Sequence, residues 1–392
     1  MKTNTDQKNK KIIDQMERIF RFGKTTRSNY EQDLIAYSKF HKMSLEELLE
    51  EAEAEEEENI RKRKRKINQR IFDFQDFLMN EPFSYEIKGK TISRHYQPSS
   101  INKMMRSIKT MYSAFEIETP RLKPIPSEKT ETYEDTITYD MIRTAISSTS
   151  NIKHKAVIEF MASTGLDSND VQSMTVSMFM TACQRYTTAE SIKEQLEEIL
   201  NVPNIIPCFR FQRGKTRYDH FTFCTPEATH SIARMLLRRE NINGDDSLFG
   251  LSIPAFRKIF SNLNDKCGFG WTSKGTRRRF HGHGLRTFFA SQLVGSTING
   301  MMIDSMVIEW FLGHKVPSTT ESYYKRNPQK LKEIYSNFVP KLTFENTTNI
   351  ITVNSPEFEE IKKELEQYQE VIKDIDEIKK LKQELLEQYN NL

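Results

Sequence analysis

Four side chains of unlike chemistry fall in a fixed order between residues 283 and 323, and they constrain this chain more than anything else in it. His283-Gly-Leu-Arg286 comes first, then Leu312-Gly-His314, then Tyr323 nine residues after His314. Imidazole and guanidinium groups donate hydrogen bonds to phosphate oxygens, and a guanidinium can donate two at once. A phenol is a nucleophile that can leave a covalent phosphotyrosine. A fold that uses this set must bring three segments to one phosphodiester, with Tyr323 attacking it.

Local spacing agrees with that demand. His283 and Arg286 are i and i+3, on one face of a helix that starts here, and Thr287 to Val294 is apolar enough to continue it as a buried helix. Trp310-Phe-Leu312 stops at Gly313, which leaves His314 on the turn. Ser318-Thr319-Thr320 offers an N-cap for a short helix that carries Tyr323. Singly, each piece is what packing alone would give, since a histidine near a helix start and a tyrosine in a helix are more often structural. The ordered combination carries the chemistry.

On these residues the segment resembles the tyrosine recombinases, or phage-type integrases, whose pattern is His-x-x-Arg, Leu-Gly-His and a Tyr nine residues on. The resemblance implies that Tyr323 forms a 3′-phosphotyrosyl link with DNA, with Arg286, His283 and His314 around the phosphate. Tyr324 is adjacent, and spacing alone favours Tyr323. It also implies a catalytic lysine on a β-hairpin, as the general acid for the leaving 5′ oxygen. Phe209 to Phe223 reads as two short aromatic strands around Gly214-Lys215-Thr216, so Lys215 matches, with Arg213 and Arg217 beside it to lower its pKa. An ordinary basic hairpin on DNA phosphates is the plainer reading. It is no nucleotide-binding loop, because the required upstream glycine is absent.

One expected part is missing. The resemblance places a first catalytic arginine in a Thr-Gly-Leu-Arg turn, with an acid three residues later. Here the turn is Thr164-Gly165-Leu166-Asp167, and Asp170 fits the later acid. A carboxylate beside a scissile phosphate repels it, and a bidentate contact is lost. Three explanations stand open: an arginine from elsewhere (Arg185, Arg210 and Arg213 are candidates), a weakened or inactive recombinase that still binds DNA, or an altered residue at this position. A substituted site that keeps its activity is the one adopted.

The rest of the chain frames this site. The fold class expected is mainly α with a small β-hairpin or sheet, arranged as a two-domain DNA clamp. Residues 1–23 read as an N-terminal extension, 24–118 as a helical core-binding domain, and 119–135, with Pro120, Pro124 and Pro126, as a linker. Residues 136–345 are the catalytic domain, with a three-stranded sheet as one option, and 346–392 an acidic helix. Ser44 to Glu47 is a capping box. The Glu-rich stretch to Glu58, followed by Arg61 to Lys66, reads as one long exposed helix whose acids lie N-terminal to its bases. Lys103, Arg106 and Lys109 fall at i, i+3 and i+6 on a helix suited to DNA. Arg277, Arg278 and Arg279 read as phosphate contacts or groove readers, with solvated surface as the bland alternative. His281 falls outside the motif register.

Residues 346–392 hold 11 acidic and 6 basic residues, whereas 1–345 hold 52 basic and 43 acidic. That suits a basic DNA-binding body with an acidic appendage. In the appendage, Phe358, Ile361, Leu365, Tyr368, Ile372 and Ile375 follow a coiled-coil spacing. It either joins copies of the chain, as in a tetramer on DNA, or folds back as one amphipathic helix. Cys183, Cys208, Cys224 and Cys267 show no Cys-x-x-Cys pairing and read as reduced intracellular thiols. No signal core or membrane span is evident, so cytoplasm is the expected compartment. Double-stranded DNA is the expected partner, with no metal or other cofactor. Two rival functions remain: a topoisomerase-like enzyme that nicks and reseals, and a DNA-binding regulator on a recombinase scaffold.

Overall fold

The structure is a computed structural model that describes residues 2–87, 90–126, 132–212, 218–273, 275, 277–298 and 301–344. The expected coiled coil of 346–392 and the hairpin turn 213–217 lie outside the described residues. The chain divides into two compact units, Met1–Lys129 and Thr130–Leu392, each mainly helical.

Among the described residues the first unit holds five α-helices: α1 (Lys2–Phe20), α2 (Lys24–His41), α3 (Leu45–Glu57), α4 (Lys66–Asn80) and α5 (Pro98–Ala114). They bury one apolar core that includes Leu34, Tyr37, Leu49, Ile71, Phe74, Ile108 and Tyr112. The first twenty residues are not an extension. Ile12, Ile13 and Met16 of α1 are buried in that core, and the buried Asn9 joins α1 to the start of α3 by accepting from the Leu45 amide at 2.7 Å. The capping box forms as expected, with the Ser44 hydroxyl accepting from Glu47 N and the Glu47 carboxylate accepting from Ser44 N.

The long exposed helix does not form. Asn59 takes a left-handed backbone at φ 55°, α3 stops at Glu57, and α4 starts afresh at Lys66. The reason is tertiary. The buried Glu55 carboxylate accepts from the Lys66 amide at 2.8 Å and so caps α4, while Arg65 turns back to Glu56 and to the Ile60 carbonyl. The acids and bases pair across a break instead of along one helix. A hairpin of β1 (Phe83–Ile87) and β2 (Lys90–Arg94) also interrupts this helical unit.

The second unit begins with α6 (Tyr139–Ser147), α7 (Ile152–Thr164), α8 (Ser168–Ser173), α9 (Val176–Cys183) and α10 (Ile192–Leu200). The hairpin β3 (Cys208–Gln212) and β4 (Asp219–Phe223) pairs antiparallel, with Phe209 opposite Thr222. Then come α11 (Pro226–Leu237), α12 (Ile253–Lys266), α13 (Gly282–Leu293), a short pair β5 (Thr297–Ile298) and β6 (Met301–Met302), α14 (Ser305–Phe311), α15 (Ser318–Arg326) and α16 (Pro328–Ser336). Among the described residues every sheet is two-stranded, so the third strand entertained from sequence is absent there. α7 lies at the centre, buried along most of its length and packed by α11 and α13. The one face that α13 leaves exposed is then free to present His283.

Candidate active site

Arg286 is the hub. It sits on α13 and is only 6% exposed, yet its guanidinium reaches two other segments. Nη1 donates to the Gly165 carbonyl at 2.8 Å, Nη2 donates to the Leu312 carbonyl at 2.6 Å, and Nη2 lies 2.9 Å from His314 Nε2. A guanidinium has no acceptor, so His314 Nε2 accepts and the ring proton is on Nδ1. Nδ1 donates it to Glu309 Oε2, 2.5 Å away. Glu309 also accepts the His314 amide through its carbonyl at 2.9 Å, so it fixes both the backbone and the ring. Sequence reading missed Glu309, whose only signal was a position five residues before His314 on a helix that ends between them.

Gly313 makes the turn possible. Its φ is 65°, and a Cβ there would lie 2.5 Å from the buried His220 ring. Gly282 does a comparable job at the start of α13, where a Cβ would meet Ser168 Oγ at 2.8 Å. Without a side chain at 282, the first turn of α13 can abut the start of α8. His283 therefore lines the same cavity as Asp167, Ser168 and Asn169. Partial burial, with the Arg286 and Arg277 charges, pushes the His283 imidazole below its ordinary range, against an opposing pull from Asp167.

Asp167 has a structural task. Its carboxylate caps α8 by accepting from the Asn169 and Asp170 amides at 2.9 and 3.1 Å, a role that aspartate fills well and arginine cannot. Asp170, the later acid of the motif, is buried.

The two adjacent tyrosines differ sharply. Tyr323 is 68% exposed on α15, and its hydroxyl makes no hydrogen bond among the described residues. Tyr324 packs edge-on against the buried Trp310 ring at 5.5 Å, and burial raises its pKa. The N-cap of α15 is Pro317, without a side-chain bond, rather than one of the residues Ser318 to Thr320.

Residues 136–330 match the phage integrase family. The chain carries a domain of that family. The crystal structure of XerA recombinase is similar to it over 84% of this chain and 98% of that one, at 17% identity and a TM-score of 0.32. Among curated proteins none matches the chain. The integrase segment holds Arg286, His283, His314, Tyr323 and the hairpin strands, but Lys215, Arg213 and Arg217 fall in the turn outside the described residues.

The remaining candidates separate clearly. Arg185 and Arg210 line a different cavity, with Lys332 and Tyr186, whose lining includes none of the four motif residues. Arg278 is committed to Asp265 through two bonds of 2.7 and 2.8 Å and lies over the Trp271 ring. Arg279 donates to the Glu134 carbonyl. Neither is placed as a free phosphate reader. Arg277 lines the cavity of His283 and Asp167, and His281 lines it too despite its position off the motif register. In the first unit, Lys103 and Arg106 are exposed on α5 and Lys109 is half-buried. Lys103 lies 3.4 Å from the buried Asp33 carboxylate, and burial lowers the Lys109 pKa. No helix among the described residues is long and apolar enough to cross a membrane.

Proposed function

We propose that this chain cleaves and rejoins duplex DNA at defined sites through a 3′-phosphotyrosyl intermediate, in the service of a mobile element or virus. The exposed Tyr323 hydroxyl gives its proton to solvent as its oxygen attacks phosphorus, the bond from phosphorus to the 5′ oxygen breaks, and Lys215 gives that leaving oxygen a proton. Arg286 and His283 hold the non-bridging oxygens as charge builds on them, and His314, between Arg286 and Glu309, keeps that guanidinium in place. The phosphotyrosine conserves the bond energy, so a 5′ hydroxyl of another strand can reverse the step without a cofactor. The observation that carries this reading is the buried Arg286 guanidinium, hydrogen-bonded to His314 and to the Gly165 turn. The exposure of Tyr323 beside a packed Tyr324 supports its choice as nucleophile.

The first unit serves as the core-binding domain, with Lys103, Arg106 and Lys109 against the DNA backbone. Arg277, Arg278 and Arg279 belong to the same basic surface in this reading, and Arg277 and Arg278 line the cavity that holds His283. The acidic tail joins copies of the chain on DNA, and the cytoplasm is where it acts. The test is relaxation of negatively supercoiled plasmid without metal. The parent chain should relax it and leave a denaturant-resistant protein–DNA adduct, and Tyr323→Phe should lose both. A silent parent that becomes active as Asp167→Arg would instead mark a disabled recombinase that binds DNA, the reading that Asp167 favours.

A further inference from the structure

The cavity between α8, α12 and the first turn of α13 has a volume of about 630 Å³ and includes Asp167, Arg257, Arg277, Arg278 and His283 in its lining. A phosphoryl group attacked by Tyr323 gains negative charge on two non-bridging oxygens, and one guanidinium cannot reach every lone pair. Arg286 already divides its donors among Gly165, Leu312 and His314. Residue 167 adds a negative charge rather than a second cation. The site needs another guanidinium, and the cavity wall contains three.

Their geometry ranks them. Arg278 is held by Asp265 on one side and stacks on Trp271 on the other. Arg257 is exposed on α12, well before the motif in sequence. Arg277 is half-buried on the segment that leads directly into α13. Its backbone is pinned, since its carbonyl accepts from the Thr272 amide at 2.8 Å and from the Thr272 hydroxyl at 3.2 Å. The peptide at 277 is therefore set by bonds that do not involve its side chain. Arg277 lines the same cavity as His281 and His283, and its charge helps to hold both imidazoles below their ordinary range.

We infer that Arg277 is the second guanidinium of the phosphodiester site and takes the place of the arginine that position 167 lacks. This rests on the reading of the chain as a phosphotyrosine recombinase. Asp167 is then released to cap α8, and the site keeps two arginines, with the missing one delivered from the loop before α13 instead of the turn after α7. Arg277 is a catalytic residue in this arrangement, because it donates hydrogen bonds to the oxygens of the reacting phosphate and exchanges no proton.

The test uses the full chain and supercoiled plasmid, with Tyr323→Phe as the control for chemistry and fluorescence anisotropy on a short duplex for binding. Arg277→Ala should slow Tyr323-dependent relaxation by about 100-fold or more, the usual cost of removing one donor to a developing oxyanion. Duplex affinity should fall by less than about tenfold, as for a single phosphate contact. Arg277→Lys, which keeps the charge but not the fork, should recover only part of the rate. Asp167→Arg placed on the Arg277→Ala background should restore activity, an outcome that a merely structural role for Arg277 could not give. Thermal melting checks that each variant is folded. If Arg277→Ala relaxes plasmid within about threefold of the parent while Tyr323→Phe is dead, Arg277 is not the second guanidinium though the recombinase reading stands. If Arg257→Ala shows the loss instead, the assignment passes to Arg257 and this one is overturned. If the parent itself forms no Tyr323 adduct, Asp167 is uncompensated and both readings fall.

Discussion

At the scale of single residues, Asp167 carries two effects of opposite sign that one substitution can separate. Its carboxylate stabilises the start of α8 through two amide bonds, and its charge faces the cavity that should hold a phosphate. Asparagine caps a helix about as well as aspartate but is neutral. Asp167→Asn should therefore leave the melting temperature within about 2 °C while it speeds single-turnover plasmid relaxation by roughly tenfold, as expected for removing one like charge at close range. A slower variant would show that the carboxylate has a productive part in the chemistry. His283 gives a second expectation, in pH. Burial and two nearby arginines hold its folded-state pKa below the ordinary 6.5, so the unfolded chain takes up its proton first. Stability from this residue is present above about pH 6.5 and is lost as the pH falls through the lower folded value. Melting curves of the parent and His283→Gln should run parallel from neutral pH upward. Below about pH 6.5 the parent should fall more steeply, and equal slopes there would remove the argument.

At the scale of elements, what could be read from the sequence followed how local each signal was. The start of α13 before His283, the Gly313 stop and the Ser44 capping box each depend on a few neighbouring residues, and all three form as read. The α3–α4 region misled because its charge pattern fits a continuous helix equally well. The break depends on Glu55 meeting the Lys66 amide across eleven residues, a contact visible only once the chain has folded back. The same holds for α1, whose charged residues hide three apolar side chains that pack into the core. In the site, the i and i+3 placement of His283 and Arg286 was legible. The bonds from Arg286 to Gly165 and Leu312 were not, because they link backbone carbonyls that any residue would supply. Asp167 was visible as a charge in the wrong place but not as a cap, since the first turn of α8 is too short to announce a helix. Among the arginines, proximity in sequence favoured Arg185 and Arg210, whereas the fold sends both to another cavity and brings Arg277 to this one.

At the scale of the whole molecule, the two units are built on separate cores. The apolar cluster of the first unit runs from Ile12 to Ile117, and that of the second from Ile137 to Phe344, with no buried residue in common. Stability that comes from burial is local to the cluster that provides it, so the units should unfold as distinct cooperative blocks. Leu49 and Phe160 are each nearly fully buried, one in either core. Replacing a buried Leu or Phe by alanine costs about 2–5 kcal/mol, enough to lower the transition of a unit of this size by roughly 10 °C. Scanning calorimetry of the full chain should resolve two transitions, with Leu49→Ala moving one and Phe160→Ala moving the other. A single transition displaced equally by both would mean that the units are thermodynamically one body. Independence would also have a functional consequence. A recombinase has to hold its target through several strand-transfer steps while one protein–DNA contact is made and broken. On the proposed function, a first unit that keeps its fold when the second is strained would keep DNA held while the phosphotyrosine forms and reverses. Leu49→Ala at a temperature above its lowered transition should then weaken duplex binding first, and Phe160→Ala should silence relaxation while much of the binding persists. Anisotropy and plasmid relaxation measured side by side across temperature would show whether the two losses divide in that way.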